Sequence, residues 1–174
     1  MSQPEFELPP PNAPPSNPKD DSATAFHEAG HAVVAIALGR PVQLVTIKPE
    51  GHRLGRCEFG KGKTRPTDDW LEREMLITLA GVAAEAVHTN RYSWGGATQD
   101  LKDLRRLSVM RAGERQAEKL ERRMLSKVEH LLSKSGHWRA VELIAAELLR
   151  CGSISGRAAR HLFDQGVAHA DDLH

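Results

Sequence analysis

At 174 residues, the chain is long enough for one domain with a real core and too short for two large ones. It is 40% hydrophobic and 27% charged, with a formal net charge of +1. That balance is ordinary for a globular protein and gives no reason to expect nucleic acid or an anionic membrane as partner. The longest purely apolar run, Ala32 to Leu38, falls far short of the ~20 residues that span a bilayer, so no membrane span is predicted. The acidic, proline-rich start has neither the basic nor the apolar part of a secretory signal. Cys57 and Cys151 form neither a disulfide framework nor a zinc ribbon. Both read as small, partly buried apolar residues, and a reducing cytoplasm is the predicted compartment.

Residues 1–20 hold seven of the ten prolines and show no apolar periodicity, which predicts a flexible or extended leader. A domain over 21–166 and a tail over 167–174 follow. Asp20, Asp21, Ser22 and Thr24 supply capping groups and negative charge for a helix over about 22–38, stopped by Gly39 and Pro41. Val42 to Ile47 alternates and is β-branched, so it predicts a strand, with an edge able to pair with an extended peptide. Glu50-Gly51-His52 predicts a turn and Gly55 to Phe59 a weaker strand. Thr67, Asp68 and Asp69 open a second helix, with Glu72 placed for a capping box and a helical apolar period from Leu71 to Val87. Asn90 to Gly96 predicts a loop. Further helices are predicted at about 98–111, 113–134, 138–150 and 155–165, punctuated by Ser135-Gly136 and Cys151-Gly152. The expected fold is mainly α, with one small β element.

One segment carries chemistry. His27-Glu28-Ala29-Gly30-His31 matches H-E-x-x-H, and it lies inside the first helix. Histidines at i and i+4 project from one face, one turn apart, so both imidazoles reach a single zinc ion at about 2.0–2.1 Å. The glutamate between them sits near the open coordination position, where it can take a proton from the activated water and pass it to the leaving amine. The flanking residues Ala25, Phe26, Ala32, Val33, Val34, Ile36 and Ala37 predict a largely buried helix, in which two histidines and a glutamate are costly unless something binds them. Gly30 costs about 1 kcal/mol against alanine in mid-helix, which points to close backbone packing. Catalytic zinc usually has three protein ligands. His52, His88, His130, His137, His161, His169 and His174 read as surface residues. Glu85, in the small-residue stretch Ala80 to Ala84, and Asp100, at the start of the third helix, are both acidic candidates, and the residues alone do not choose between them.

Four segments resemble the peptidase domain of the FtsH family of membrane-bound, ATP-dependent zinc proteases. They are Thr24 to Val34, Val45 to Gly55, Leu79-Ala80-Gly81-Val82-Ala83-Ala84-Glu85 and Gly96-Ala97-Thr98-Gln99-Asp100-Leu101. Val141 to Gly156 resembles the family's last helices, and the likeness covers about residues 22–165. The resemblance implies Asp100 as third ligand to one zinc per chain, with Glu85 hydrogen-bonded to a ligand histidine and orienting it. It also implies a mainly helical fold with a short β element, and protein or peptide substrates. The sequence departs from the family at Val82, where arginine is usual, at Gln99, where asparagine is common, and at Gly95, where threonine is usual. It contains no phosphate-binding G-x-x-x-x-G-K-[ST]. The implied activity is a zinc metalloendopeptidase acting on unfolded or flexible segments and ATP-independent by itself, with room for a separate unfoldase and for oligomerisation.

Two other classes compete. One is a non-catalytic, zinc-stabilised interaction module. The other is nucleic-acid binding through Lys102 to Lys127, which holds nine basic and four acidic residues but few aromatics. An intact Glu28 argues against the first and the scarcity of aromatics against the second, so no nucleic-acid partner is expected. Trp70, Trp94 and Trp138 read as packing residues, with Trp94 also a candidate cleft wall.

Overall fold

The computed structural model describes residues 21–61 and 69–171; the proline-rich leader, Thr67, Asp68 and the last three residues lie outside them. Among the described residues the architecture is mainly α: six α-helices and a three-stranded sheet. Helix α1 (Asp21–Ala37) is the central element. Ala25, Ala29, Ala32, Val33, Val34 and Ala35 are all fully buried, so this helix is covered on every side. It ends in a Schellman arrangement: Gly39, at φ 76°, donates to Ile36 O, and Arg40 N–H donates to Ala35 O.

Helix α2 (Trp70–Thr89) packs against α1 at very close range. Asp69 Oδ1 caps it by accepting from Glu72 N–H at 3.1 Å. A Cβ at Gly30 of α1 would fall 2.4 Å from Ala80 O and 2.5 Å from Ala84 Cβ. The close packing expected of Gly30 is thus a backbone-to-backbone approach. Gly30→Ala gains about 1 kcal/mol in helix propensity. Forcing α1 from α2 is expected to cost more, leaving a net loss of about 1–3 kcal/mol. A lowered urea midpoint checks this, and a midpoint equal to that of the wild type would refute it.

Strand β1 (Val42–Thr46) pairs antiparallel with β2 (Arg56–Phe59), with Val45 opposite Cys57 and an irregularity between Val42 and Leu44. On its other side it pairs with β3 (Ser153–Ser155), with Val45 opposite Ile154. The strand order is β2-β1-β3. β1 is therefore central and has no edge to offer a peptide, contrary to the expectation from its sequence. The partner responsible, β3, lies about a hundred residues away and is too short to show a period of its own.

Helices α3 (Thr98–Ala112) and α4 (Glu114–Ser133) join at Gly113 and cover α2. Helix α5 (Ser135–Cys151) starts at Ser135 and not near 138; the chain breaks at the extended Lys134 instead. Gly136, read from the sequence as punctuation, is helical and buried. Its missing side chain lets α5 approach α6 (Gly156–Asp171), where a Cβ would meet Val167 Cα at 3.0 Å. This packing carries α6 well past residue 165. Among the described residues no helix is long and apolar enough to cross a membrane.

Trp70 is 45% exposed and so is not the packing residue expected. Trp94 and Trp138 pack against the core. Cys57 is partly buried on β2, and Cys151, expected partly buried, is exposed.

Candidate metal centre

The face of α1 turned toward α2 carries His27 and His31, and the first turn of α3 brings Asp100 to them. Asp100 Oδ2 lies 3.0 Å from His27 Nε2 and 3.4 Å from His31 Nε2, and the two Nε2 atoms are 3.1 Å apart. A tetrahedral ion held at 2.0–2.1 Å needs donors separated by about 3.3 Å. The three donors already form one face of such a tetrahedron.

The remaining ring nitrogens are also engaged. His31 Nδ1–H donates to Ile77 O at 2.7 Å, and His27 Nδ1–H donates to Glu85 Oε2 at 3.0 Å. Both bonds fix the tautomer that leaves Nε2 free to bind a cation. Gly81 of α2 makes room for the pair. A Cβ there would stand 2.4 Å from His31 Nε2 and 2.5 Å from His27 Nε2.

The electrostatics match the geometry. Burial would lower the His27 pKa, but the bonds to Asp100 and Glu85 and the charge of Glu28 outweigh it, raising it to about 10. Burial opposes protonation of His31 as well, yet Asp100 raises its pKa. For Asp100 burial is again outweighed, here by His31 and His27, which hold its carboxyl well below the usual range.

Glu28, one residue along α1, is 7% exposed. Burial raises its pKa, against the opposing charges of His31 and His27. The turn Glu50–Arg53, closed by a two-way backbone bridge, leads to Gly55, where a Cβ would be 2.8 Å from Glu28 Cγ. The start of β2 therefore forms a wall beside Glu28.

All five residues singled out from the sequence meet here: His27, Glu28, His31, Glu85 and Asp100. Sequence reasoning missed the Ile77 carbonyl and the steric role of Gly81. It also missed a brace on the loop before α3. Tyr92 O–H donates to Glu129 Oε1 at 2.5 Å, and the Tyr92 ring stacks on Trp94 at 4.9 Å. No local pattern announces a bond between residues so far apart. The other described histidines stay away from the centre. His52, His88, His130, His161 and His169 are exposed, and His137 Nδ1–H donates to Leu131 O.

The chain is also similar to known proteins. Three proteins named ATP-dependent zinc metalloprotease FtsH are similar to the chain. The one from Magnetococcus marinus is 38% identical over 101 residues, covering 55% of this chain and 15% of that protein. The one from Marinobacter nauticus is 32% identical over 101 residues, covering 56% and 16%. The one from Cupriavidus metallidurans is 41% identical over 88 residues, covering 45% and 13%. The chain thus spans only a small part of the length of these relatives. The family model of peptidase family M41 matches residues 16–114, more than half of the chain and the whole stretch from α1 to α3 that builds the centre. The chain belongs to peptidase family M41.

Proposed function

We propose that the chain is a zinc metalloendopeptidase that hydrolyses peptide bonds in unfolded or flexible protein segments. The observation that carries this reading is the triangle of His27 Nε2, His31 Nε2 and Asp100 Oδ2, with the buried Glu28 carboxylate on the same helix. Zinc, when bound, supplies a Lewis acid that polarises the scissile carbonyl and brings the pKa of water to about 7. His27, His31 and Asp100 would hold the ion. Glu85 and the Ile77 carbonyl keep the imidazoles aimed. Glu28 takes the proton from the attacking water and delivers it to the departing amine; burial, by raising its pKa, suits it to both tasks. With β1 paired on both sides, the outer edge of β2 beside Glu28 is where an extended substrate would lie.

Hydrolysis of a peptide bond is downhill and needs no ATP, so we assign energy consumption only to unfolding, by a separate partner. Two free cysteines suit a reducing cytoplasm. Nucleic acid is a poor fit for the basic stretch, because Arg105, Arg111, Arg122 and Lys127 all carry carboxylate partners.

The test is cleavage of an unfolded, fluorescently labelled protein by the zinc-loaded chain without ATP. Peptide release that a chelator stops and zinc restores is expected. A zinc-bound chain that releases nothing would overturn the reading in favour of a partner-dependent protease or a non-catalytic module.

A pH dependence follows as well. With the His27 pKa at about 10, zinc must displace a proton at every pH below that. Raising the pH lowers the cost of displacement, so apparent zinc affinity should rise by about tenfold per pH unit for each proton released. Calorimetry in buffers of different ionisation enthalpy counts those protons; a pH-independent affinity would contradict the assignment.

A further inference from the structure

A groove of about 500 Å³ opens on the side of the molecule where the ends of α2, α4 and α6 meet the start of α5. Its floor is apolar, formed by Val87, Leu132 and Trp138, with Glu129, Arg139 and His169 on the rim. Val87 is 55% exposed, a large apolar side chain left facing solvent. None of these residues belongs to the metal centre.

The entrance of the chain into α1 lies at this groove. Ser22 Oγ is 2.7 Å from His88 Nε2, next to Val87. Phe26, one turn further on, stacks on His88 at 3.8 Å and tilts against Trp138 at 5.9 Å. The start of α1, to which the residues before Asp21 are joined in sequence, therefore lies on the side of Val87 and Trp138. Those preceding residues include Pro9, Pro10, Pro11, Pro14, Pro15 and Pro18.

We propose that the groove is the docking site for the chain's own proline-rich segment, residues 9–18. The chemistry matches on three counts. Proline rings bury apolar surface against an indole while bringing no backbone N–H, so an apolar floor that offers few acceptors leaves none stranded. A proline-rich segment has little conformational freedom to lose, which lowers the cost of binding. Attachment through α1 makes the encounter intramolecular, at an effective concentration in the millimolar range, so modest contacts suffice. Reach is no obstacle: at about 3.1 Å per residue, ten residues extend roughly 30 Å.

The test is an NMR measurement on the full, uniformly labelled chain, with the Trp138 resonances assigned through Trp138→Phe. Nuclear Overhauser contacts from the Trp138 ring and the Val87 methyls to prolines of 9–18 are expected. They should disappear in Val87→Glu, a substitution at an exposed site that the fold tolerates. The Trp138 indole shift should then move toward that of a full-length variant with these prolines replaced by serine. A Trp138 with no contact to residues 9–18, and a shift indifferent to their replacement, overturns the proposal. Contacts seen only between labelled and unlabelled chains also overturn it, by assigning the groove to a second copy.

Discussion

Gly81→Ala is expected to leave the chain folded and to weaken zinc binding by at least a hundredfold, beyond the roughly 10–100-fold typical of changes around metal ligands. The new methyl would enter the space where His31 Nε2 and His27 Nε2 converge, within 2.4 and 2.5 Å of them. Neither ring can swing aside freely, because the Ile77 carbonyl holds one and Glu85 the other. Alanine is favoured over glycine in mid-helix by about 1 kcal/mol, which offsets part of the strain in the metal-free protein. Binding and folding therefore separate. Zinc titration against a competing chelator reads the first and urea unfolding of the metal-free chain reads the second. Full zinc affinity in this variant would mean that the ion does not sit between these two imidazoles.

Glu28→Gln should have the opposite profile, with zinc retained at one per chain and turnover of an unfolded substrate reduced on the order of a thousandfold or more. Glutamine keeps the size of the side chain against Gly55 and loses only the ability to accept a proton. Since Glu28 is not among the three converging donors, metal content should not follow activity. A variant that keeps its turnover would exclude Glu28 as the base. One that loses its zinc would make Glu28 part of the metal's support.

Local patterns carried much of this structure. The i, i+4 histidines, the capping by Asp69 and the apolar period of α2 are written within a few turns of helix, and α1 and α2 form where their residues predict. The resemblance to a known family then separated Asp100 from Glu85. The residues alone could not do so, because the distinction depends on how α3 is laid across α1. In the structure Asp100 stands with the Nε2 donors and Glu85 on the far nitrogen of His27.

What stayed hidden was long-range. The pairing of Thr46 with Ser153 removes the free edge of β1, yet nothing near Thr46 signals it. Ser135-Gly136 reads locally as punctuation between helices, whereas the position of Gly136 is set by contact with Val167 on another helix. Trp70, a packing residue by its sequence reading, sits at the exposed start of α2.

X-ray absorption at the zinc edge of the loaded chain tests the central claim most directly. The account predicts two imidazole nitrogens and a carboxylate oxygen at about 2.0–2.2 Å, with the imidazole signal falling by half in either His27→Ala or His31→Ala. A sulfur scatterer at about 2.3 Å, which would implicate Cys57, or an imidazole signal indifferent to both substitutions, would contradict it.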